Sequence, residues 1–416
     1  MAHFLLTPVG SSGDVHPFVG IGRALRQRGH DVTLMTSEPF RRVSEAAGLQ
    51  FVGTQSAEDF DRLTREPDLW HSRRGTSLVL RTVASAMRAD YPRLAEVYQP
   101  GRTVLVGHTL SFATRVFEEV NRAPAATIHL APSVFRSDYQ QPTYIPGTDP
   151  SRLPRWVKRL MWWLVDRLMI DPPAAPELNR WRRELGLAPV SRIFKVWMHS
   201  PCRVIGLFPE WFAPVQPDWP SQARFTGFPL YDEPDEHPFT PGLQAFLDRG
   251  SPPILFTPGS ANRTASRFFS EALDATRRLR RRALFLTGYP EQLPSALGGD
   301  VWHEPYVPFS RVLPRCAGMV HHGGIGTCAQ GLAAGVPQVT MPLGFDQPDN
   351  AARLTRLGVA RWVRPEVFRG ERVAGALAEL LDNIRVTERC RHWAGALRRA
   401  DPLGETCTLL EELVPR

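Results

Sequence analysis

In the first half of the chain, short apolar runs alternate with longer stretches whose apolar residues recur every three to four positions. Residues 4–9, 31–36, 104–107 and 126–130 are compact and apolar and read as strands, whereas 15–28, 76–98 and 112–121 carry the helical period. Such alternation predicts βαβ units around a parallel sheet covered on both faces. It breaks in a basic, tryptophan-rich stretch from 151 to 197. At 232–241 the run Asp-Glu-Pro-Asp-Glu-His-Pro-Phe-Thr-Pro has the proline and charge density of an interdomain linker. A second series follows, with strands at 253–257, 283–287, 318–321 and 338–341 and helices at 267–279 and 350–357. The pattern predicts two doubly wound α/β domains, 1–232 and 251–395, joined by a linker at 233–250. A helical tail at 396–416 is free by pattern to pack on either one. In such folds ligands bind outside the carboxyl ends of the strands, here in a cleft between the domains.

Composition changes this picture little. A chain of 416 residues is long enough for two cores, and 43% apolar with 22% charged residues is an ordinary globular balance. The net charge of +8 invites a nucleic-acid or membrane partner. The basic residues are almost all arginine, however, with Lys158 and Lys195 the only lysines, which indicates a composition bias rather than a binding face. The densest cluster, Arg277, Arg278, Arg280, Arg281 and Arg282, ends a predicted helix, where cations complement the helix dipole. It reads as a solvated helix end, and no nucleic-acid partner is expected. Five widely spaced cysteines without a CxxC pair argue against a disulfide framework or zinc site and suit a reducing cytoplasm. Met1 leads straight into the first strand, so no signal peptide is expected, and the apolar run 160–165 is too short to span a bilayer.

Candidate chemistry concentrates at His321-His322-Gly323-Gly324-Ile325-Gly326-Thr327, between a short strand and a helix read over 327–334. Glycines there let the backbone approach an anion, and free amides at a helix start can receive a diphosphate. Thr327 adds a hydroxyl, and a histidine beside the same amides would stabilise a departing diphosphate without metal. Two other readings stay open on these residues alone. The segment can be a tight turn with buried histidines. Gly324-x-Gly326-x-x-Ala329, with Asp346 downstream, also fits a dinucleotide-binding fingerprint, although that fingerprint usually opens the first βα unit. Asp346 and Gln347 fall in a loop after a strand, where they can bind sugar hydroxyls.

Together with Gly335-Val-Pro-Gln338 and Asp346-Gln347, this segment resembles the donor signature of the family 1 glycosyltransferases with the GT-B fold. Gly10-Ser-Ser-Gly-Asp14-Val-His-Pro17 looks like the opening loop of bacterial glycopeptide and sterol glycosyltransferases. The segments 192–201, 207–214 and 226–232 look close to the rhamnosyltransferase catalytic chain of rhamnolipid synthesis, so the likeness spans the whole chain. It implies an acceptor-binding N-terminal and a nucleotide-sugar-binding C-terminal domain. It also implies Asp14 as the base toward the acceptor hydroxyl, where the residues themselves allow a helix N-cap equally well. His16 and His108 are weaker candidates to assist it. The likeness further assigns His322 and Thr327 to the diphosphate, with Gly324 and Gly326 giving backbone access. Ser260 would approach the phosphates, 306–308, including Val307, would receive the base, and Asp346 and Gln347 would read the donor sugar.

The expected activity is transfer of a hexose, glucose first, from a UDP- or dTDP-sugar to a lipophilic hydroxylated acceptor, with inversion and without metal or cofactor. One base, one leaving group and no second carboxylate in the motifs leave no covalent nucleophile. The alternatives are a dTDP-rhamnose-dependent rhamnosyltransferase acting on hydroxy-fatty-acid-type acceptors, and a non-catalytic partner that only binds the nucleotide sugar. Asp59-Phe60-Asp61 has the form of a manganese motif but reads as a solvated helix face. Trp156, Met161, Trp162 and Trp163 interleave with Arg155, Lys158, Arg159 and Arg167; they can line an acceptor, touch anionic lipid at the inner membrane face, or fill a core.

Overall fold

The computed structural model describes residues 1–71, 74–145, 147–232 and 239–415, so 233–238 of the expected linker lie outside the described residues. The chain divides into two compact units: Met1–Pro142, Asp149–Tyr231 and Asp401–Arg416 form the first, Thr143–Thr148 and Asp232–Ala400 the second. The short 143–148 segment is tied to the second unit, where the Thr143 amide donates to Asp349 Oδ1 at 3.0 Å.

The first unit is built on β1 (His3–Thr7), β2 (Asp31–Thr36), β3 (Gln50–Gly53), β4 (Thr103–His108), β5 (Ala125–His129), β6 (Arg203–Gly206) and β7 (Ala223–Phe225). Their order is β3-β2-β1-β4-β5-β6-β7, with parallel pairing throughout. β1 is the turning point: Leu5 lies opposite Thr33 on one side and Leu105 on the other. Phe4, Leu5, Leu6, Val104, Leu105 and Val106 are fully buried, as every residue of the two central strands β1 and β4 is buried, whereas the edge strands β3 and β7 are partly exposed. On one face Leu80, Met87 and Leu94 of helix Gly75–Val97 pack with Leu178 and Trp181 of helix Asp171–Glu184. The tail helix Pro402–Glu411 completes this unit: Thr406 Oγ1 meets Thr226 Oγ1 at 2.9 Å, and Arg28 donates to Gly404 O at 3.0 Å.

The second unit repeats the plan with β8 (Ile254–Thr257), β9 (Ala283–Leu286), β10 (Val301–Glu304), β11 (Gly318–His321), β12 (Gln338–Thr340) and β13 (Ala360–Trp362). The order β10-β9-β8-β11-β12-β13, all parallel, puts the reversal between β8 and β11. Within the 233–250 stretch, helix Pro241–Asp248 is capped by Thr240, and its Leu243, Phe246 and Leu247 enter the core.

Three expectations need correction. The first helix runs Ser12–Gln27 rather than from Val15, because Ser11 caps it. The helix expected over 327–334 likewise opens earlier, at Ile325. Arg282 is not part of a solvated helix end: it is buried and donates to Phe246 O, Arg249 O and Ser251 O, satisfying orphan carbonyls where helix 241–248 ends. Asp59 and Asp61 do lie on an exposed helix, Ala57–Thr64, paired with Arg62 and Arg65. All five cysteines are free, four of them buried.

Candidate active site

In the first unit, β1 delivers its chain into a turn at Gly10 and the start of helix Ser12–Gln27. Asp14 is the third helical residue, not the N-cap. Its Oδ2 accepts from the Ser11 amide at 2.8 Å and the Ser11 hydroxyl at 3.2 Å, the reciprocal arm of a capping box. A Cβ at position 10 would lie 2.2 Å from that oxygen, and Gly10 has φ +137°, so glycine is what leaves the carboxylate its seat. The other oxygen, Oδ1, lies 3.9 Å from Nε2 of His108, which stands at the end of the neighbouring strand β4.

The electrostatics follow from enclosure. Burial pushes the Asp14 carboxyl up to about 6, against the two Ser11 bonds that favour its charged form. Burial lowers His108 to about 3, so its imidazole is neutral. Because His108 Nδ1 accepts from the Leu110 amide at 3.4 Å, the proton belongs on Nε2, facing Asp14. His16 stands elsewhere, edge-on to Tyr231 with centroids 6.1 Å apart.

In the second unit, the loops after β8, β11 and β12 gather at the carboxyl ends of adjacent strands. His321 ends β11, fully buried; its Nδ1 accepts from the Gly323 amide at 3.1 Å and its Nε2 meets Gln338 Oε1 at 2.9 Å. It holds the turn. His322 is the available imidazole: burial lowers it to about 4, and its Nδ1 is buried without a hydrogen-bond partner among the described residues. Its ring fits between two glycines. A Cβ on Gly259 would lie 2.8 Å from the ring and one on Gly324 2.5 Å from Nε2. Gly324 is the N-cap of helix Ile325–Ala334, so the amides of Ile325, Gly326 and Thr327 have no intrahelical acceptor. Beyond its chain neighbours and its own helix backbone, no atom of the described residues stands within 4 Å of where a Cβ on Gly326 would be, so packing leaves open space beside the helix start.

The second motif is wired to the first by a residue that sequence reading missed. Asn350 Nδ2 donates to Gly323 O at 3.0 Å and to Asp346 Oδ2 at 2.7 Å, and Asn350 is fully buried. Phe345, at φ +59°, is the strained step that turns the chain into Asp346. Gln347 Oε1 accepts from the Leu343 and Gly344 amides at 2.8 and 3.3 Å, leaving its NH₂ end as the donor side. Spacing alone hinted at Asn350, one helical turn beyond Asp346. Asn350→Ala strips Gly323 O and the Asp346 carboxylate of this shared donor. We expect a roughly tenfold or larger rise in donor KM at unchanged acceptor KM, measured by steady-state kinetics with each substrate varied.

The remaining predicted residues are placed unevenly. Ser260 is exposed beside Gly259, so it adjoins the His322 ring along the chain, and its carbonyl accepts from Tyr289 at 3.1 Å. Thr327 is half-buried in the first turn of its helix. Val307 points its side chain into the core with Leu243 and Val312, so the main chain of 306–308 is what it can offer a ligand. The glycine run follows the fourth strand of its unit, not the first, against the dinucleotide fingerprint.

Residues 4–124 match the glycosyltransferase family 28 N-terminal domain, and residues 289–406 the erythromycin biosynthesis protein CIII-like C-terminal domain. Over 425 aligned residues the chain is 33% identical to an O-mycaminosyltylonolide 6-deoxyallosyltransferase of Streptomyces fradiae, covering 98% of this chain and 96% of that protein. The solved glycotransferase of kitacinnamycin aligns with a TM-score of 0.75 at 21% identity, over 100% of this chain and 99% of that one. A spinosyn rhamnosyltransferase complexed with thymidine diphosphate aligns at 0.70 and 18%, over 98% and 100%. The chain therefore belongs to the family 1 glycosyltransferases of the GT-B fold and is a nucleotide-sugar-dependent glycosyltransferase.

Proposed function

We propose that this enzyme transfers a 6-deoxyhexose from a dTDP-sugar to a hydroxyl of a lipophilic small-molecule acceptor of the polyketide type, with inversion and without metal. The observation that carries the leaving-group chemistry is the open helix start beside the His322 ring, coupled through Asn350 to Asp346. The choice of sugar and base is supported by the deoxyallosyltransferase from Streptomyces fradiae and by thymidine diphosphate in the spinosyn rhamnosyltransferase. It replaces glucose as the first hexose to test and leaves UDP-sugars as the second donor class.

In this reading Asp14 takes the proton from the acceptor hydroxyl as the oxygen bonds to the anomeric carbon. The bond from that carbon to the phosphate oxygen breaks on the opposite side, its electron pair leaving with the diphosphate. A carboxylate is a weak base toward an alcohol, so proton transfer and attack are concerted; a pKa near 6 brings the base closer to its task than an ordinary aspartate. His108, neutral, keeps a donor toward Asp14 without cancelling its charge. The amides of 325–327 and the N–H of His322 receive the charge that builds on the diphosphate, the part a metal plays in other transferases.

The test is a panel of dTDP- and UDP-sugars crossed with lipophilic alcohols, with and without EDTA, read by product mass and anomeric configuration. We expect a dTDP-deoxyhexose to be consumed fastest, with inverted products and EDTA without effect. Loss of turnover in EDTA sinks the metal-free route. Nucleotide binding without turnover of any donor turns the reading to a non-catalytic binding partner.

A further inference from the structure

Helix Arg155–Val165 runs through a wide turn, Asp166–Ile170, into helix Asp171–Glu184, and its polarity is inverted. The positions facing the protein are Lys158, Trp162, Asp166 and Ile170, every fourth residue. Lys158 donates to Tyr139 O and Ser151 O at 2.5 and 2.9 Å, Trp162 Nε1 donates to Ser137 O at 3.3 Å, and Asp166 is paired with Arg136. The hydrophobic stripe faces outward. Trp156 is 68% exposed, Trp163 50% and Leu168 68%, with Leu160 and Leu164 between them. A globular surface helix ordinarily turns such a stripe to the core, and an exposed apolar face of this continuity marks a binding surface.

Charge selects what covers it. Arg152, Arg155, Arg159 and Arg167 are exposed along the same stretch. Arg152 pairs with Asp149 at 3.1 Å and Arg159 with Asp138 at 2.9 Å. That leaves the charge of Arg155, over the Tyr139 ring, and of Arg167 facing outward, while the one carboxylate between 150 and 170, Asp166, is buried. The complement is therefore apolar and anionic at once. Tryptophan rings and long arginine stems suit the boundary between lipid headgroups and acyl chains. Among the described residues no helix is long and apolar enough to cross a membrane, so the contact lies in the plane of the surface. We propose that the outward face of residues 155–168 docks this protein on an anionic phospholipid surface, independently of which sugar or acceptor it uses.

The test is cosedimentation of the full chain with phosphatidylcholine vesicles, with and without phosphatidylglycerol. We expect pelleting with the phosphatidylglycerol vesicles that fades as salt is raised. Arg167→Gln lowers the partition roughly fivefold, and Trp156→Ser with Trp163→Ser lowers it at least about tenfold at unchanged melting temperature, since both rings are exposed. Pelleting equally strong with the double variant, or absent for the wild type, overturns the proposal. So does a wild-type dimer in analytical ultracentrifugation that the double variant turns into a monomer, which gives the face to a second copy of the chain.

Discussion

Asp14→Asn is expected to lower kcat by roughly a hundred- to ten-thousand-fold, with donor affinity unchanged. Asparagine keeps the shape of the side chain and an oxygen for the Ser11 amide, so the helix start survives while the base is gone. The pH profile separates this from a packing effect. With the carboxyl held at about 6, wild-type kcat/KM should fall tenfold per pH unit below that point, well above the range of an ordinary aspartate. The residual activity of the variant should lack that limb. Stability should move the other way. A carboxyl whose pKa is raised on folding stabilises the protein below its unfolded pKa, near 4, and that contribution is lost as pH rises through about 6. Above pH 7 the wild type holds a charge the fold disfavours. Asp14→Asn should then be no less stable, and by up to about 1 kcal/mol more so, after discounting for a side chain 35% exposed. A variant with full turnover would remove Asp14 as the base.

His322→Ala should cost about a hundred- to a thousandfold in kcat, the usual scale for removing one donor from a developing anion. Because burial keeps the ring at about 4, it acts as a neutral hydrogen-bond donor at physiological pH, and the loss should be constant between pH 5 and 8. His322→Gln, which restores an N–H, should recover part of it. Single-turnover rates with saturating donor measure both. An alanine variant with wild-type kcat would take His322 out of the reaction.

The strand-to-helix turn at 321–327 was legible because its signals are local. Glycines, a histidine pair and a helix start lie within seven residues, and Asp346-Gln347 follow a strand that apolar runs make visible. Strands β3, β6, β7, β10 and β13 were not, since three or four residues at or toward a sheet edge carry too little pattern to separate from loops. Asn350 escaped because its role is a bridge between segments 27 residues apart, and Gly259 because only the fold brings it against His322. Arg282 looked like one more solvated arginine until helix 241–248 placed three carbonyls around it. The tryptophan-rich helix misleads for a related reason. Periodicity reveals that a helix has two faces but leaves open which one turns inward, and here Lys158 and Asp166 find partners inside.

The tail helix gives the chain an order of events during its synthesis. Most of the first unit is translated before residue 232, yet it lacks Pro402–Glu411 until the second unit has been made in between. At ordinary elongation rates the roughly 170 intervening residues take on the order of ten to thirty seconds. Throughout that interval the surface that receives Cys407 and Leu410 is unfilled, and Arg28 has not met Gly404. The nascent first unit therefore waits, open on one side, for a keystone that is made only after the whole second unit.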